Sequence, residues 1–170
     1  MKKITSFAEL PEEPAIYALY GGQGKTLYVA YVGQAGQLKS RITQHLVRRD
    51  SSIATGASVV SLNPDKVTQV AWWGHPHFEQ PAMLTAAESV AFDVLDPVLR
   101  SRLAAQKSSR PFYEDEQFYA EMKALFAGEP HGCLALPTFR EAILRIATLE
   151  EQVADLQRRV LELEKGRGKL

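Results

Sequence analysis

Cysteine is almost absent from this sequence of 170 residues, in which Cys133 is the only one. A single thiol excludes an internal disulfide framework and any zinc site made of several cysteines. No run of about 18 apolar residues occurs, which argues against a transmembrane helix. The two lysines that follow Met1 precede no apolar segment, so the pattern of a secretory signal is missing. We therefore expect a cytoplasmic protein that has no membrane partner.

An excess of one charge is also absent, because 20 basic residues balance 20 acidic ones. Proteins that coat nucleic acid are strongly cationic, so this balance argues mildly against that class. The basic residues are nevertheless clustered. Two stretches without any acid, residues 33–49 and 98–110, contain Lys39, Arg41, Arg48, Arg49, Arg100, Arg102, Lys107 and Arg110. Such patches suit a protein that grips a short length of phosphate backbone, and two solvated helix faces explain them equally well.

Apolar residues make up 45% of the chain, and their spacing predicts an α+β domain. The predicted strands cover residues 15–20, 26–32 and 67–73, and the predicted helices cover residues 37–49, 81–95 and 115–127. Residues 129–137 are expected to be a linker. The expected fold is thus a central three-stranded sheet, antiparallel or mixed, that is flanked by helices and followed by a C-terminal helix.

The helix predicted over residues 37–49 has two distinct faces. Leu38, Ile42 and Leu46 are spaced four residues apart and form the expected core face. Arg41 and His45 begin a second stripe, which continues to the arginines at the end of the helix and is expected to be polar.

Glu88 is unusual on the helix predicted over residues 81–95, because it lies away from that helix's polar face. The residues one turn away from it are Leu84, Ala91 and Phe92. A carboxylate bordered by apolar side chains is costly unless it is paired or binds a metal ion. On periodicity alone, a rim glutamate paired with a basic neighbour is the commoner arrangement.

The C-terminal segment carries a heptad pattern in which β-branched residues alternate with leucine. The first set is Ile146, Val153 and Val160, and the second is Leu149, Leu156 and Leu163. This choice at the a and d positions favours a parallel two-stranded coiled coil. The flanking charges agree, since Arg145 would face the partner's Glu150. We expect a homodimer through residues 139–164, with a helix folded back on its own domain as the alternative.

Two tripeptides on the first two predicted strands, Ala15-Ile16-Tyr17 and Tyr31-Val32-Gly33, resemble the GIY and YIG motifs of the GIY-YIG nucleases. Four further residues match the family's spacing after them: Leu38, Arg41, His45 and Glu88. Pro97 follows Glu88 as in the repair nucleases of that family. The resemblance covers about residues 14–100 and implies a nuclease domain over residues 1–110. Residues 111–137 would then be a helical extension and linker, and residues 138–170 a coiled-coil-like helix.

The resemblance implies a metal-dependent endonuclease that hydrolyses DNA phosphodiester bonds. Glu88 would hold one Mg²⁺ or Mn²⁺ ion, which stabilises the leaving oxygen. Arg41 would bind a non-bridging phosphate oxygen. Tyr17 would orient or deprotonate the attacking water, and Tyr31 would orient water or phosphate. His45 would share the role of base, because the pKa of a histidine is ordinarily near neutrality.

The resemblance also implies a DNA-binding surface. Its expected members are Gly33, Gln34, Lys39, Arg48, Arg49, Arg100 and Arg102. The sequence departs from the family where Ala15 replaces the first glycine, Ala35 a serine or threonine, and Gln34 a lysine. Arg100 stands in place of an asparagine that supports the fold near the site, so it can alter the site or add a phosphate contact.

Two other functions compete with a nuclease. One is a nucleic-acid-binding domain of this fold that does not cut, and the other is a coiled-coil adaptor subunit of a larger DNA-processing or defence complex. A second metal site is a weaker alternative, because His75-Pro-His77 with His131 and Cys133 more often marks a turn at a strand end. The pair Trp72-Trp73 predicts one buried indole and one at an edge.

Overall fold

A computed structural model describes residues 1–22, 24–55, 62–99, 107–137 and 139–167 of the chain. Within these ranges the strands are β1 (Lys2–Ile4), β2 (Ala15–Gly21), β3 (Tyr28–Ala35), β4 (Val67–Trp73) and β5 (Gly132–Ala135). The helices are α1 (Leu38–Thr43), α2 (Ser52–Thr55), α3 (Pro81–Leu95), α4 (Arg110–Tyr113), α5 (Glu116–Ala127) and α6 (Phe139–Arg167). A 3-10 turn, Pro76–Glu79, joins β4 to α3. The protein is of the α+β class.

The strands form one mixed sheet in the order β1-β5-β4-β2-β3. Only the pair of β1 and β5 is parallel, and the other three pairs are antiparallel. The expectation of three strands is therefore wrong, and the segment expected to be a linker contains the interior strand β5. Both missed strands are very short, at 3 and 4 residues, and they carry no readable alternation of their own. Their place in the sheet comes from pairing with distant strands.

Helices cover both faces of the sheet around β2. Tyr17 and Leu19 pack with α1 on one face, whereas Ile16 and Ala18 pack with α3 and α5 on the other. Because both faces are covered, residues 15–19 are all buried and read as a continuous apolar run. β2 therefore lies between the two halves of the core, and Tyr17 is on the face that packs against α1.

Both tryptophans of β4 are buried, on opposite faces of the sheet. Trp73 packs edge-on against Phe126 of α5 with ring centroids 5.7 Å apart. Trp72 lies over Gly132 of β5, where even a single Cβ atom would clash with the indole. The prediction that one indole lies at an edge is therefore wrong, because β4 is an interior strand between β2 and β5.

The core face of α1 is confirmed, since Leu38 and Ile42 are fully buried and Leu46 is partly buried. After Thr43 the helix widens into a π-helical turn, Gln44–Arg48, that ends at Arg49 in a left-handed conformation with φ of 59°. The wider turn carries His45 into the interior. His45 was expected on a polar stripe, but its side chain is fully buried.

The chain divides into two compact units, Met1–Leu136 and Pro137–Leu170. The second unit consists mainly of α6. Large apolar side chains along this helix are exposed, and the heptad residues among them are Ile146, Leu149, Val153, Leu156, Val160 and Leu163. No helix in the described ranges combines the length and apolarity that are needed to cross a membrane.

Candidate active site

Three aromatic side chains from separate elements meet under the edge of the sheet. Tyr17 comes from β2, Tyr31 from β3 and His45 from the π-helical turn. Their ring centroids are 6.2 Å apart for the two tyrosines, 5.7 Å for Tyr17 and His45, and 6.0 Å for Tyr31 and His45. The antiparallel register aligns Tyr17 with Gly33 and Leu19 with Tyr31, so the two tyrosines share one face. The sheet and the π-helical turn thus bring together three of the predicted site residues.

Gly33 provides the space that the two tyrosines occupy. A Cβ atom at this position would lie 2.6 Å from the hydroxyl of Tyr17 and 2.8 Å from the ring of Tyr31. Any larger residue must therefore displace one of the two rings. The resemblance placed Gly33 in the DNA-binding surface, and the structure gives this glycine a packing role beside the two tyrosines.

A hydrogen-bonded chain runs through His45. Its Nε2 lies 2.6 Å from the Tyr17 hydroxyl, and its Nδ1 lies 2.7 Å from Oγ of Ser51. Burial, with the nearby charge of Arg41, lowers the pKa of His45 to about 4. The ring is therefore neutral at pH 7, so one of its nitrogens donates and the other accepts in the two hydrogen bonds to Tyr17 and Ser51. The expectation of a pKa near neutrality is wrong, because it took no account of burial.

Arg41 lies one helical turn before His45 and also reaches Tyr17. Its guanidinium donates a hydrogen bond to the Tyr17 hydroxyl and contributes a positive charge beside it. Burial and the neighbouring Tyr31 nevertheless raise the pKa of Tyr17 well above its ordinary value. Burial therefore outweighs the arginine, and Tyr17 is a protonated phenol at neutral pH.

Glu88 joins this group from α3. Gln34 on β3 donates hydrogen bonds to its carboxylate from both the backbone N–H and the side-chain amide. Burial raises the pKa of Glu88 to about 7, although Gln34 and the charge of Arg41 oppose the shift. The side chain of Gln34 is itself held at 3.3 Å from Oγ1 of Thr85, one turn before Glu88. The suspected anomaly on this helix is thus a largely buried carboxylate that faces the arginine and tyrosine of the site.

The donor set at Glu88 suits a hard divalent cation. A single carboxylate oxygen is the kind of ligand with which Mg²⁺ is held in proteins, most of its other positions being filled by water and substrate. The raised pKa shows that the carboxylate charge is incompletely compensated by Gln34 and Arg41. A bound cation would compensate the remaining negative charge of the Glu88 carboxylate.

An open depression lies beside these residues, at the start of α1. It is lined by Gln34, Ala35, Gly36, Gln37, Ser40, Arg41 and Gln44. Arg41 and Gln34 therefore border both the buried residues and a surface from which a ligand can reach them. Its small and polar lining leaves room for a phosphate group in contact with the Arg41 guanidinium.

Other residues predicted to bind DNA lie on the surface near α1. Lys39 forms an ion pair with Glu12 at 3.0 Å, and Arg49 pairs with Asp65. Exposed ion pairs of this kind contribute at most about 1 kcal/mol to stability. A phosphate group of a ligand can therefore replace the acidic side chain as the partner of the lysine or arginine. Arg48 is exposed. Arg100 and Arg102 lie outside the described residues.

Sequence reasoning missed two partners of the site. Ser51 follows the π-helical turn and shares a hydrogen bond with His45, and Thr85 supports Gln34. Serine and threonine are common in loops and helices, and no spacing rule links either one to a residue on another element. Only the tertiary arrangement reveals them.

A second cluster lies at the turn after β4. His75 and His77 approach Glu121 of α5, with N···O distances of 3.3 and 3.4 Å. His131 was considered with this pair, but its Nδ1 accepts a hydrogen bond from the N–H of Gly74. Cys133, the other residue considered, is buried in β5. Glu121 could not be predicted as a partner of the two histidines, because no spacing rule links α5 to this turn.

Comparisons of the sequence with models of known protein families and with curated proteins give no match.

Proposed function

We propose that the protein is a metal-dependent endonuclease that hydrolyses DNA phosphodiester bonds. One observation carries the proposal: of the five residues singled out by the resemblance, four are within electrostatic, ring-contact or hydrogen-bonding reach of the fifth, Tyr17. The five are Tyr17, Tyr31, Arg41, His45 and Glu88. Each single residue has an ordinary structural role, but a buried group with a phenol, a guanidinium, an imidazole and a carboxylate is characteristic of catalytic sites.

Arg41 and Glu88 would stabilise the charges of the reaction. The guanidinium of Arg41 offers planar paired donors to a non-bridging phosphate oxygen at the open depression. Glu88 would hold a divalent cation, Mg²⁺ or Mn²⁺. The bound cation would supply Lewis-acid stabilisation to the leaving 3′-oxygen.

Tyr17 and His45 would act together as the base. As water attacks phosphorus, its proton passes to the Tyr17 oxygen, and the Tyr17 proton passes to Nε2 of His45 over 2.6 Å. Tyr17 alone is too weak an acid to be a phenolate at neutral pH, because burial raises its pKa. The histidine supplies the missing acceptor, and the charge of an incoming phosphate favours the imidazolium that results. Tyr31 would orient water or phosphate beside this pair.

Cleavage assays identify the substrate class. Supercoiled plasmid, linear duplex and single-stranded DNA are incubated with the full chain in Mg²⁺ or Mn²⁺, with a chelator as the control. The proposal expects metal-dependent strand breaks in at least one substrate. Retained DNA binding without any break would instead favour the non-cleaving binding domain, for which the protonated state of Tyr17 is the supporting observation.

The proposal includes a homodimer formed by α6. Its a and d residues are exposed, and Arg145 and Arg159 at g positions would pair with the partner's Glu150 and the partner's Glu164 at e positions. An antiparallel arrangement would bring arginine opposite arginine and glutamate opposite glutamate. The charge pattern therefore favours the parallel orientation. Three heptads are short, so we expect the dimer to depend on concentration.

In a parallel dimer the two α6 helices begin at the same end of the coil. Each helix follows its own nuclease domain in the chain, so both domains would be joined to the coil at that end. Two sites held on one complex would act on neighbouring phosphates more readily than two free chains, because the second encounter is intramolecular. A coiled-coil adaptor that does not cut DNA is the alternative, and the exposed face of α6 supports it equally. The cleavage assay separates the two.

A further inference from the structure

The cluster formed by His75, His77 and Glu121 shares no residue with the candidate active site. Its two histidines flank Pro76 at the start of the turn that joins β4 to α3, and the glutamate comes from the middle of α5. One ligand atom from each of the three residues lies within 4.8 Å of the other two. Three potential metal ligands are thus gathered from two separate elements.

The two imidazole rings are held in place by their neighbours. The rings lie 4.7 Å apart, centroid to centroid. Behind them, His75 packs on Phe78 and His77 on Phe118, both at 5.8 Å, and both phenylalanines are buried in the core. Packing of this kind restricts the rotamers of the rings before any ligand arrives.

We propose that His75, His77 and Glu121 form a binding site for one transition-metal ion of the Zn²⁺ class. Two imidazole nitrogens with one carboxylate are a ligand set that Zn²⁺ uses, whereas Mg²⁺ prefers oxygen ligands only. The site would therefore select a different ion from the one expected at Glu88, and it would fasten the Pro76–Glu79 turn to α5.

The separations of the ligand atoms fit this ion. With metal–ligand bonds of about 2.0–2.1 Å, a tetrahedral site places neighbouring ligand atoms about 3.3–3.4 Å apart. Nε2 of His75 lies 3.3 Å from Oε1 of Glu121, and Nε2 of His77 lies 3.4 Å from Oε2 of the same carboxylate, so each imidazole already stands at the required separation from one of the two oxygens. The side chain of Glu121 is 46% exposed, so a water molecule can occupy the fourth position.

One existing hydrogen bond changes when the metal binds. Nδ1 of His75 accepts from the backbone N–H of His77 at 3.3 Å, which leaves the ring proton on Nε2, facing Glu121. A metal at Nε2 replaces this proton, which moves to Nδ1, and the 3.3 Å bond is released. The exchange weakens binding at His75 relative to a histidine whose second nitrogen already donates. His77 and Glu121 meet no such conflict among the bonds described for them.

The test is a titration of the full metal-free chain with Zn²⁺ alone, followed by competition with a chromogenic chelator and by the shift in Tm. The variants are His77→Ala and Glu121→Gln. Two matched controls carry substitutions outside the cluster: His131→Gln removes a neighbouring histidine, and Glu88→Gln removes the carboxylate of the candidate active site. Circular dichroism verifies that each variant is folded.

We expect one tightly held Zn²⁺ per wild-type chain and a higher Tm in its presence, because an ion that binds only the folded state stabilises it. Both effects should be lost in His77→Ala and Glu121→Gln and kept in His131→Gln and Glu88→Gln. Wild-type protein that binds no Zn²⁺, or binding that survives Glu121→Gln, would overturn the proposal. Since the readout is metal binding and not cleavage, the result is independent of whether the protein is a nuclease.

Discussion

The hydroxyl of Tyr17 lies 2.6 Å from Nε2 of His45, and both side chains are fully buried. The pair joins strand β2 to a π-helical turn 28 residues further along the chain. Burial raises the pKa of Tyr17 and lowers the pKa of His45, so both groups are neutral at pH 7. In the proposed mechanism, proton transfer between them requires a charge from outside, which a bound phosphate would supply.

Substituting Tyr17→Phe tests this pair. The ring keeps its packing, but Nε2 of His45 loses its hydrogen-bond partner, which costs about 1–3 kcal/mol in the free energy of unfolding. If the pair supplies the base, the cleavage rate falls about 10²–10⁴-fold, the range for loss of general base catalysis. Denaturant unfolding and single-turnover cleavage measure the two effects. Tyr28→Phe, at an exposed tyrosine, is the control. An unchanged rate in Tyr17→Phe would remove Tyr17 from the mechanism.

Substituting Gly33→Ala tests the packing of the site. The new Cβ atom would lie 2.6 Å from the Tyr17 hydroxyl, so a buried ring must move, at a cost of about 1–3 kcal/mol in unfolding free energy. Gly36→Ala is a matched control three residues away, where a Cβ atom meets nothing within 4 Å. Thermal unfolding of both variants decides the point. Equal Tm values for the two variants would show that the tyrosine rings move aside without any loss of stability.

The raised pKa of Glu88 predicts that metal binding depends on pH. The carboxylate binds a cation only when it is deprotonated, and its pKa in the metal-free protein is about 7. The apparent Mg²⁺ affinity should therefore rise about tenfold per pH unit below 7 and level off above it. Mg²⁺ titrations of cleavage from pH 5.5 to about 8.5 measure this. A flat profile across that range would contradict a cation held by Glu88.

Substituting Leu156→Lys tests the dimer. A lysine at the centre of the apolar seam would place two charges against each other, so the variant should be monomeric where the wild type is dimeric. Light scattering after size exclusion reports the mass relative to the 18.9 kDa chain. Leu161→Lys is the matched control, because Leu161 is equally exposed on α6 but lies outside the a and d positions. Loss of the dimer in both variants, or in neither, would not fit a heptad interface.

Much of the first unit could be predicted from local sequence. The bounds predicted for β4 and α3 are confirmed, since Pro81 opens the helix and Asp96-Pro97 ends it. β1 and β5 could not be predicted, because runs of 3 and 4 residues have no periodicity and depend on their neighbours for pairing. The grouping of Tyr17, Tyr31 and Arg41 followed from the family resemblance of the motifs on β2, β3 and α1.

The chemical state of the site was not accessible from the sequence. The burial of His45 depends on the π-helical turn, and its pKa of about 4 follows from that burial. Glu88 had been singled out as a carboxylate among apolar neighbours, but its hydrogen bonds from Gln34 require the packing of α3 beside β3. The pKa of a side chain depends on neighbours from several helices and strands. The spacing of residues along the sequence describes only one helix or strand at a time.

The most direct test of the nuclease account is cleavage of a labelled DNA duplex in Mg²⁺ by the wild type and by Glu88→Gln. The amide has almost the same shape but holds a divalent cation poorly. Glu79→Gln, at an exposed glutamate in the turn before α3, is the control. The account predicts strand breaks by the wild type and Glu79→Gln, and none by Glu88→Gln. Equal cleavage by wild type and Glu88→Gln, or no cleavage by the wild type in any metal, would contradict it.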